Sequence, residues 1–313
     1  MSSRRCPRST ASCSERSPPK RHHPPEPDSP PGRHREHKEG LLPELPDVET
    51  MRRYLQATSL HQEIADVEVH APGVLPSDEL SEQAAVQKLK EKLIARSFEA
   101  TRRHGKWMFV ALNDYSDHHL VLHFGMTGGL KYFKDVNEEL DYDRVLFRFA
   151  NGYQLAYLSQ RKLGAVDVID DVDRFIDRKG LGPDALDPAF DLPAFKQAVE
   201  GRRAMAKSVL MDQSTVAGIG NVYSDEILFQ AGIHPRTKIS KLDEETLESL
   251  FRTIKDVLQT AVEAQGRPEQ FPDSFIGPHR YEGGTCPLCG THLERVQVGS
   301  RYAYYCPNRQ QRS

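Results

Sequence analysis

The stretch "LLPELPDVET" (41–50) sets Pro43 beside Glu44. A proline whose nitrogen is free is a secondary amine, and a neighbouring carboxyl can move protons for it. That chemistry requires Pro43 to be the first residue, whereas forty-two residues precede it. Inside a peptide bond the nitrogen lone pair is delocalised into the amide and is no nucleophile. The same stretch also reads as an ordinary helix start. Pro46 suits the first helical position, and Asp47 and Glu49 place negative charge in the first turn.

Two further motifs carry chemistry. "GIGNVYSDEILFQAGIHP" (218–235) places a glycine turn before a helix opening at Asn221. Backbone N–H groups and the Asn221 amide facing outward there would suit a phosphate oxygen. The plain alternative is a capped core helix in which Val222, Ile227, Leu228 and Phe229 are packing. "CPLC" (286–289) and "YYCPNR" (304–309) have the spacing of a zinc ribbon with one ligand missing. Cys286, Cys289 and Cys306 supply three thiolates. Arg309 stands where a second knuckle would place its other ligand, and a guanidinium cannot bind a cation. His292 is a conceivable substitute. Between the knuckles, "VQVGSRYAYY" forms a hairpin with Arg301 near its tip, suited to hold a phosphate.

The elements that must position these residues follow from the hydrophobic periodicity. A helix is predicted over 45–55 and another over 83–93. Strands are predicted at 64–71, 106–112, 119–124, 130–133, 144–149 and 153–158. Their short spacings and turns such as Asn151-Gly152 imply an antiparallel sandwich. After "KGLGPDAL" (179–186) the pattern becomes helical, over about 192–200, 203–212, 221–231 and 243–265. The cysteine hairpin closes the chain over 282–306. The fold class is therefore α+β and multidomain.

Residues 1–42 differ in kind. The first forty contain no Val, Ile, Leu, Phe, Tyr or Trp and are rich in Pro, Arg, Ser and His, so they have nothing to bury. They contain no apolar h-region of a secretory signal. This extension is expected to stay disordered, or to be absent from the working protein. Lys38-Glu39-Gly40 can be encoded by a purine run of the kind that positions bacterial ribosomes, and Leu42 by UUG or CUG used as a start. Removal of an initiator Met would then leave Pro43 first; proteolysis after Leu42 would have the same result.

The net charge of −3 does not favour nucleic acid, so a DNA partner would need local positive charge, as in "RRHGK" (102–106) and "GRRAMAK" (201–207). Five unevenly placed cysteines suit a reducing compartment rather than a disulfide framework. No apolar run is long enough to cross a membrane.

Taken in order, "PELPDVET", "RRHGK", "LHFGMTGGL", "LGPDAL", "LMDQSTVAGIGNVYSDEILFQAGIHP" and the ribbon resemble the formamidopyrimidine-DNA glycosylase / endonuclease VIII family of base-excision repair enzymes. The resemblance spans Pro43 to Cys306. It implies a β-sandwich catalytic domain with flanking helices (43–178), a helix–two-turn–helix DNA-binding domain (187–270) and a zinc-finger hairpin (280–313). It also implies a bifunctional DNA glycosylase and abasic-site lyase. The Pro43 amine would attack C1′ of a flipped-out nucleotide, with Glu44 as general acid/base and Lys106 on a phosphate. His123, Lys207, Asn221 and Arg301 would hold DNA on the phosphate or lesion side. Met126, Arg161 and Leu163 would fill the space that the flipped base vacates. One structural zinc ion, damaged double-stranded DNA as partner, a monomeric state and a bacterial cytoplasmic, nucleoid-associated location complete the expectation.

Four features depart from the family pattern. They are the extension, Leu163 in place of an aromatic residue, Arg309, and a short 265–286 connection that puts a preference for 8-oxoguanine in doubt. Arg309 implies less than stoichiometric zinc. Two other readings compete: a catalytically impaired DNA-binding member with Pro43 blocked, and a zinc-ribbon interaction module on an unrelated β domain.

Overall fold

The computed structural model describes residues 43–76, 81–113, 117–134, 138 and 140–311. The expected extension, 1–42, lies outside them. Helix α1 (Leu45–Thr58) opens with Pro46 in its first turn, and the Asp47 carboxylate accepts the Glu44 N–H at 3.0 Å. Its buried residues Leu45, Val48, Met51 and Leu55 form one stripe at helical spacing.

Two four-stranded antiparallel sheets follow. The first contains β1 (Ile64–Val69), β5 (Gly128–Phe133), β6 (Asp143–Phe149) and β7 (Gln154–Ser159), in the order β1-β6-β7-β5. The second contains β2 (Phe98–His104), β3 (Trp107–Leu112), β4 (His119–His123) and β8 (Ala165–Ile169), in sequence order. Side chains of both sheets, α1 and α2 (Glu82–Leu93) share one core. Phe98 meets Phe147 and Phe149 edge-on there, with centroids 5.8 and 6.0 Å apart. Helix α3 (Val172–Arg178) covers the other face of the second sheet, packing Phe175 and Ile176 on Phe109 and Val121.

The helical half contains α4 (Leu192–Val199), α5 (Ala206–Met211), α6 (Asn221–Gln230) and α7 (Glu244–Glu263). Leu45 from α1 is buried in this second core, so the start of α1 belongs to both halves. The chain ends in the hairpin β9 (Glu294–Val298) and β10 (Arg301–Tyr305).

Strands β2 and β8 and helix α3 were not anticipated. The two strands are the edges of the second sheet. β2 reads "FEATRRH", with exposed or half-exposed polar residues between its buried ends. An edge strand is held by its partner and can carry charge outward, so β2 lacks the apolar signature. β8 reads "AVDVI", with Val166, Val168 and Ile169 buried, and is apolar but too short to stand out. Lys106, expected at the start of a strand, occupies the turn between β2 and β3.

Candidate active site and nucleic-acid interface

The Glu44 carboxylate is 1 % exposed and lies against the N-terminus of α6. Its oxygens accept the N–H groups of Gly220 at 2.7 Å, Val222 at 2.8 Å and Tyr223 at 3.2 Å. These are donors that a helix start leaves without intrahelical partners, and the helix dipole favours an anion at this end. The sequence-based expectation assigned this place to a phosphate oxygen. The chain fills it with its own carboxylate, so the backbone of 220–223 is not a free phosphate cradle. Asn221 keeps its side chain there, half-exposed, with a buried Oδ1 that has no hydrogen-bond partner.

The glycine turn allows this approach. A Cβ on Gly220 would lie 2.5 Å from Glu44 Oε1, and Gly218, at φ +116°, would push a Cβ within 2.5 Å of Leu45 Cδ1. The Leu45 N–H donates to Gly218 O at 3.0 Å. Gln213 braces the turn, accepting the Gly218 N–H at 3.0 Å and donating to Ile219 O at 2.7 Å. Pro43, buried, immediately precedes Glu44.

Lys106 comes from the β2–β3 turn. Gly105 makes the turn possible with φ +56° and packs so closely on 217–218 that its Cβ would sit 2.8 Å from Ala217 Cβ. Burial pushes the Lys106 ammonium below its ordinary pKa, Glu44 and Asp47 draw it back up, and Arg301 adds to the downward push. Lys106, Glu44, Asp47 and Arg301 thus share one electrostatic neighbourhood.

An ion network not foreseen from the sequence fixes that turn. Arg103 forms hydrogen-bonded ion pairs with Asp184 and with Glu49 of α1, and Asp184 also accepts the Gly105 N–H at 2.6 Å. Arg52 and Arg53 also bind Glu49. Burial raises the Glu49 pKa, but hydrogen bonds and charge from the three arginines outweigh it and hold it at about 2. Both ends were visible in "RRHGK" and "LGPDAL", but nothing in either motif states their pairing.

His123 ends β4, with its ring 4.5 Å from that of Trp107. Burial, aided by Lys106 and Lys179, lowers its pKa to about 4, so the imidazole is neutral at physiological pH. Beyond it, Met126 rides a tight turn closed by Gly128 N–H to Phe124 O at 2.8 Å. Gly125, at φ +60°, rests against the next loop, where its Cβ would be 2.6 Å from Gly164 N. Arg161 and Leu163 project from that loop, and Leu163 is 56 % exposed. The structure therefore brings half-exposed Met126 and exposed Arg161 and Leu163 onto adjoining loops.

Lys207 is a correction. It is fully buried, and its ammonium donates to Asn221 O at 3.1 Å, Ser224 Oγ at 2.9 Å and Asp225 Oδ1 at 2.6 Å. All three N–H donors are thereby used, leaving none for a phosphate. Asp225 also binds Arg280 and the Tyr304 N–H, so this buried cluster joins α5, α6 and β10.

The Sγ atoms of Cys286, Cys289 and Cys306 lie within 4.8 Å of one another. Three soft donors converging on one point fit a zinc ion. Among the described residues no His, Asp or Glu joins the cluster, so His292 is not its fourth member. The Arg309 guanidinium lies over the Phe229 ring, 5.8 Å from its centroid.

The fold and site together define a β-sandwich joined to a helical unit through a buried carboxylate, with exposed loops and a cysteine hairpin around the seam. The model for the formamidopyrimidine-DNA glycosylase N-terminal domain matches residues 42–166. That for the formamidopyrimidine-DNA glycosylase H2TH domain matches 181–272, and the zinc finger found in FPG and IleRS matches 283–308. A formamidopyrimidine-DNA glycosylase of Pelotomaculum thermopropionicum is 34% identical over 278 residues, covering 85% of this chain and 98% of its own. One from Streptococcus pneumoniae is 31% identical over 283 residues, covering 87% and 100%. The Lactococcus lactis enzyme in complex with N7-benzyl-Fapy-dG DNA superposes with a TM-score of 0.76 at 29% identity, covering 86% of this chain and 100% of that one. The same enzyme bound to DNA containing an abasic site gives 0.76 at 28% identity, with the same coverage. The chain belongs to the formamidopyrimidine-DNA glycosylase / endonuclease VIII family. No helix among the described residues is long and apolar enough to cross a membrane.

Proposed function

We propose that the protein is a DNA glycosylase of base-excision repair with abasic-site lyase activity, working from a chain that begins at Pro43. The observation that carries this reading is the seam. Glu44, adjacent to Pro43, is locked by three backbone N–H donors and shares its electrostatic surroundings with Lys106 and Arg301.

In the proposed reaction the free Pro43 nitrogen attacks C1′ of an extruded, damaged nucleotide. The C1′–N bond breaks and its electron pair leaves with the base, which takes up the proton that the Pro43 nitrogen releases, restoring that nitrogen's lone pair. The C1′–O4′ bond then breaks, O4′ is protonated, and the nitrogen lone pair closes an iminium. Loss of a proton from C2′ expels the 3′ phosphate and cuts the strand. Glu44 moves the protons at the sugar. Lys106, His123, Asn221 and Arg301 hold phosphates, while Met126, Leu163 and Arg161 occupy the gap in the stack. A zinc ion bound by Cys286, Cys289 and Cys306 would cross-link the hairpin that carries Arg301.

Borohydride reduction tests the reading, because it converts an iminium into a stable protein–DNA bond. The chain beginning at Pro43 should be trapped on lesion or abasic duplex, and the same chain acetylated at its N-terminus should not. A chain beginning at Met1 should bind DNA without being trapped, as the impaired-member reading holds for every N-terminus. Failure of the Pro43 chain to trap on either substrate would overturn the enzyme reading.

A further inference from the structure

We propose that Cys286, Cys289 and Cys306 form a three-thiolate zinc site with a permanently open fourth position, occupied by water and exchangeable for a small imidazole-type donor. Structural zinc sites are closed by four protein ligands, whereas a site with three keeps a solvent ligand. Here the three Sγ atoms lie within 4.8 Å of one another, and no His, Asp or Glu among the described residues joins them. The first knuckle makes its turn through Gly290, at φ +71°, with its N–H donated to Cys286 O at 2.9 Å. The second knuckle repeats that turn, with the Arg309 and Gln310 N–H groups on Cys306 O at 3.2 and 2.9 Å, but ends in a side chain that cannot coordinate.

The second knuckle keeps its shape without a fourth ligand because the protein holds it in other ways. The Gln310 side chain accepts the Cys306 N–H at 2.8 Å and donates to Ile233 O at 2.8 Å. Arg309 stacks over Phe229, which is buried with Cys286 and Cys306. The thiolates are therefore pre-positioned by packing against the helical half. The metal binds to a formed site rather than creating it, and one coordination position stays accessible to solvent. This inference does not depend on the chemistry of Pro43, and neither result decides the other.

Cobalt(II) is the probe, since its thiolate charge-transfer intensity counts sulfur ligands and its visible bands report a change of ligand. The full-length chain and its R309C variant are each loaded with cobalt and titrated with imidazole. The unaltered chain should bind one cobalt with about three quarters of the variant's charge-transfer intensity, as expected for three thiolates against four. Imidazole should shift its visible bands and leave those of R309C unchanged. Four-sulfur intensity in the unaltered chain would mean that Cys6, Cys13 or a second chain completes the sphere, and would overturn the proposal. A spectrum insensitive to imidazole, or failure to bind cobalt, would overturn it as well.

Discussion

In the proposed reaction Glu44 moves the protons, and its neighbours leave it no freedom. Three N–H groups fix its oxygens, and the Gly220 backbone lies where any larger residue would displace it. In the chain beginning at Pro43, Glu44→Gln should lower the single-turnover rate by ~10²-fold or more, in line with the loss of a positioned acid/base group. Gly220→Ala should produce a comparable loss by pushing the carboxylate out of place, with thermal unfolding still cooperative. His123 makes the opposite point. Because its pKa is held near 4, it carries no charge to lose between pH 5.5 and 8. DNA affinity over that range should show no inflection that His123→Gln removes, as titration by fluorescence anisotropy would show.

At the scale of elements, the β2–β3 turn is held by α1 and by the segment leading into the helical half. Glu49, Arg103 and Asp184 form one continuous chain of ion pairs across these three pieces. Removing one partner from such a buried pair leaves charge uncompensated. Glu49→Gln should therefore cost ~1–3 kcal/mol at neutral pH. The pH dependence has a definite sign. Glu49 is held at about 2, below its ordinary value of 4.5, so its contribution is fully present above pH 4.5. That contribution disappears as pH falls through about 2. Urea denaturation should thus show the gap between wild type and variant narrowing from pH 5 downward. The paired loops around Gly125 and Gly164 carry a second prediction. Leu163 is exposed and not aromatic, so Leu163→Phe should tighten binding to abasic duplex, stacking being worth ~1–3 kcal/mol per base.

For the whole molecule, a formal charge of −3 means that attraction to DNA depends on where the positive charges sit rather than on their number. Lys106 and Arg301 are near each other at the seam, while Lys207, which looked equally available, is sealed inside. Affinity for abasic duplex should fall with salt, and Lys106→Ala and Arg301→Ala should each reduce the log–log slope by ~0.9. Lys207→Met should leave that slope unchanged, any loss of affinity following the loss of folded protein. A reduced slope would mean that Lys207 reaches a phosphate after all.

The sequence by itself determined the element types wherever an apolar stripe ran at a clear period, as in α1, α7 and the central strands, because burial enforces that period. It also determined the inventory of chemistry: an amine only if Pro43 is free, a carboxylate beside it, three thiols and a misplaced arginine. Only the tertiary structure decided what each charge faces. The α6 N-terminus draws its anion from Glu44, 176 residues from Gly220 in the sequence, and Lys207 is paired with Asp225. Arg103 finds Asp184 across a turn that no local pattern predicts. Pairings between distant residues leave no periodic trace in a sequence. They depend on how the two cores meet, and that meeting is a property of packing.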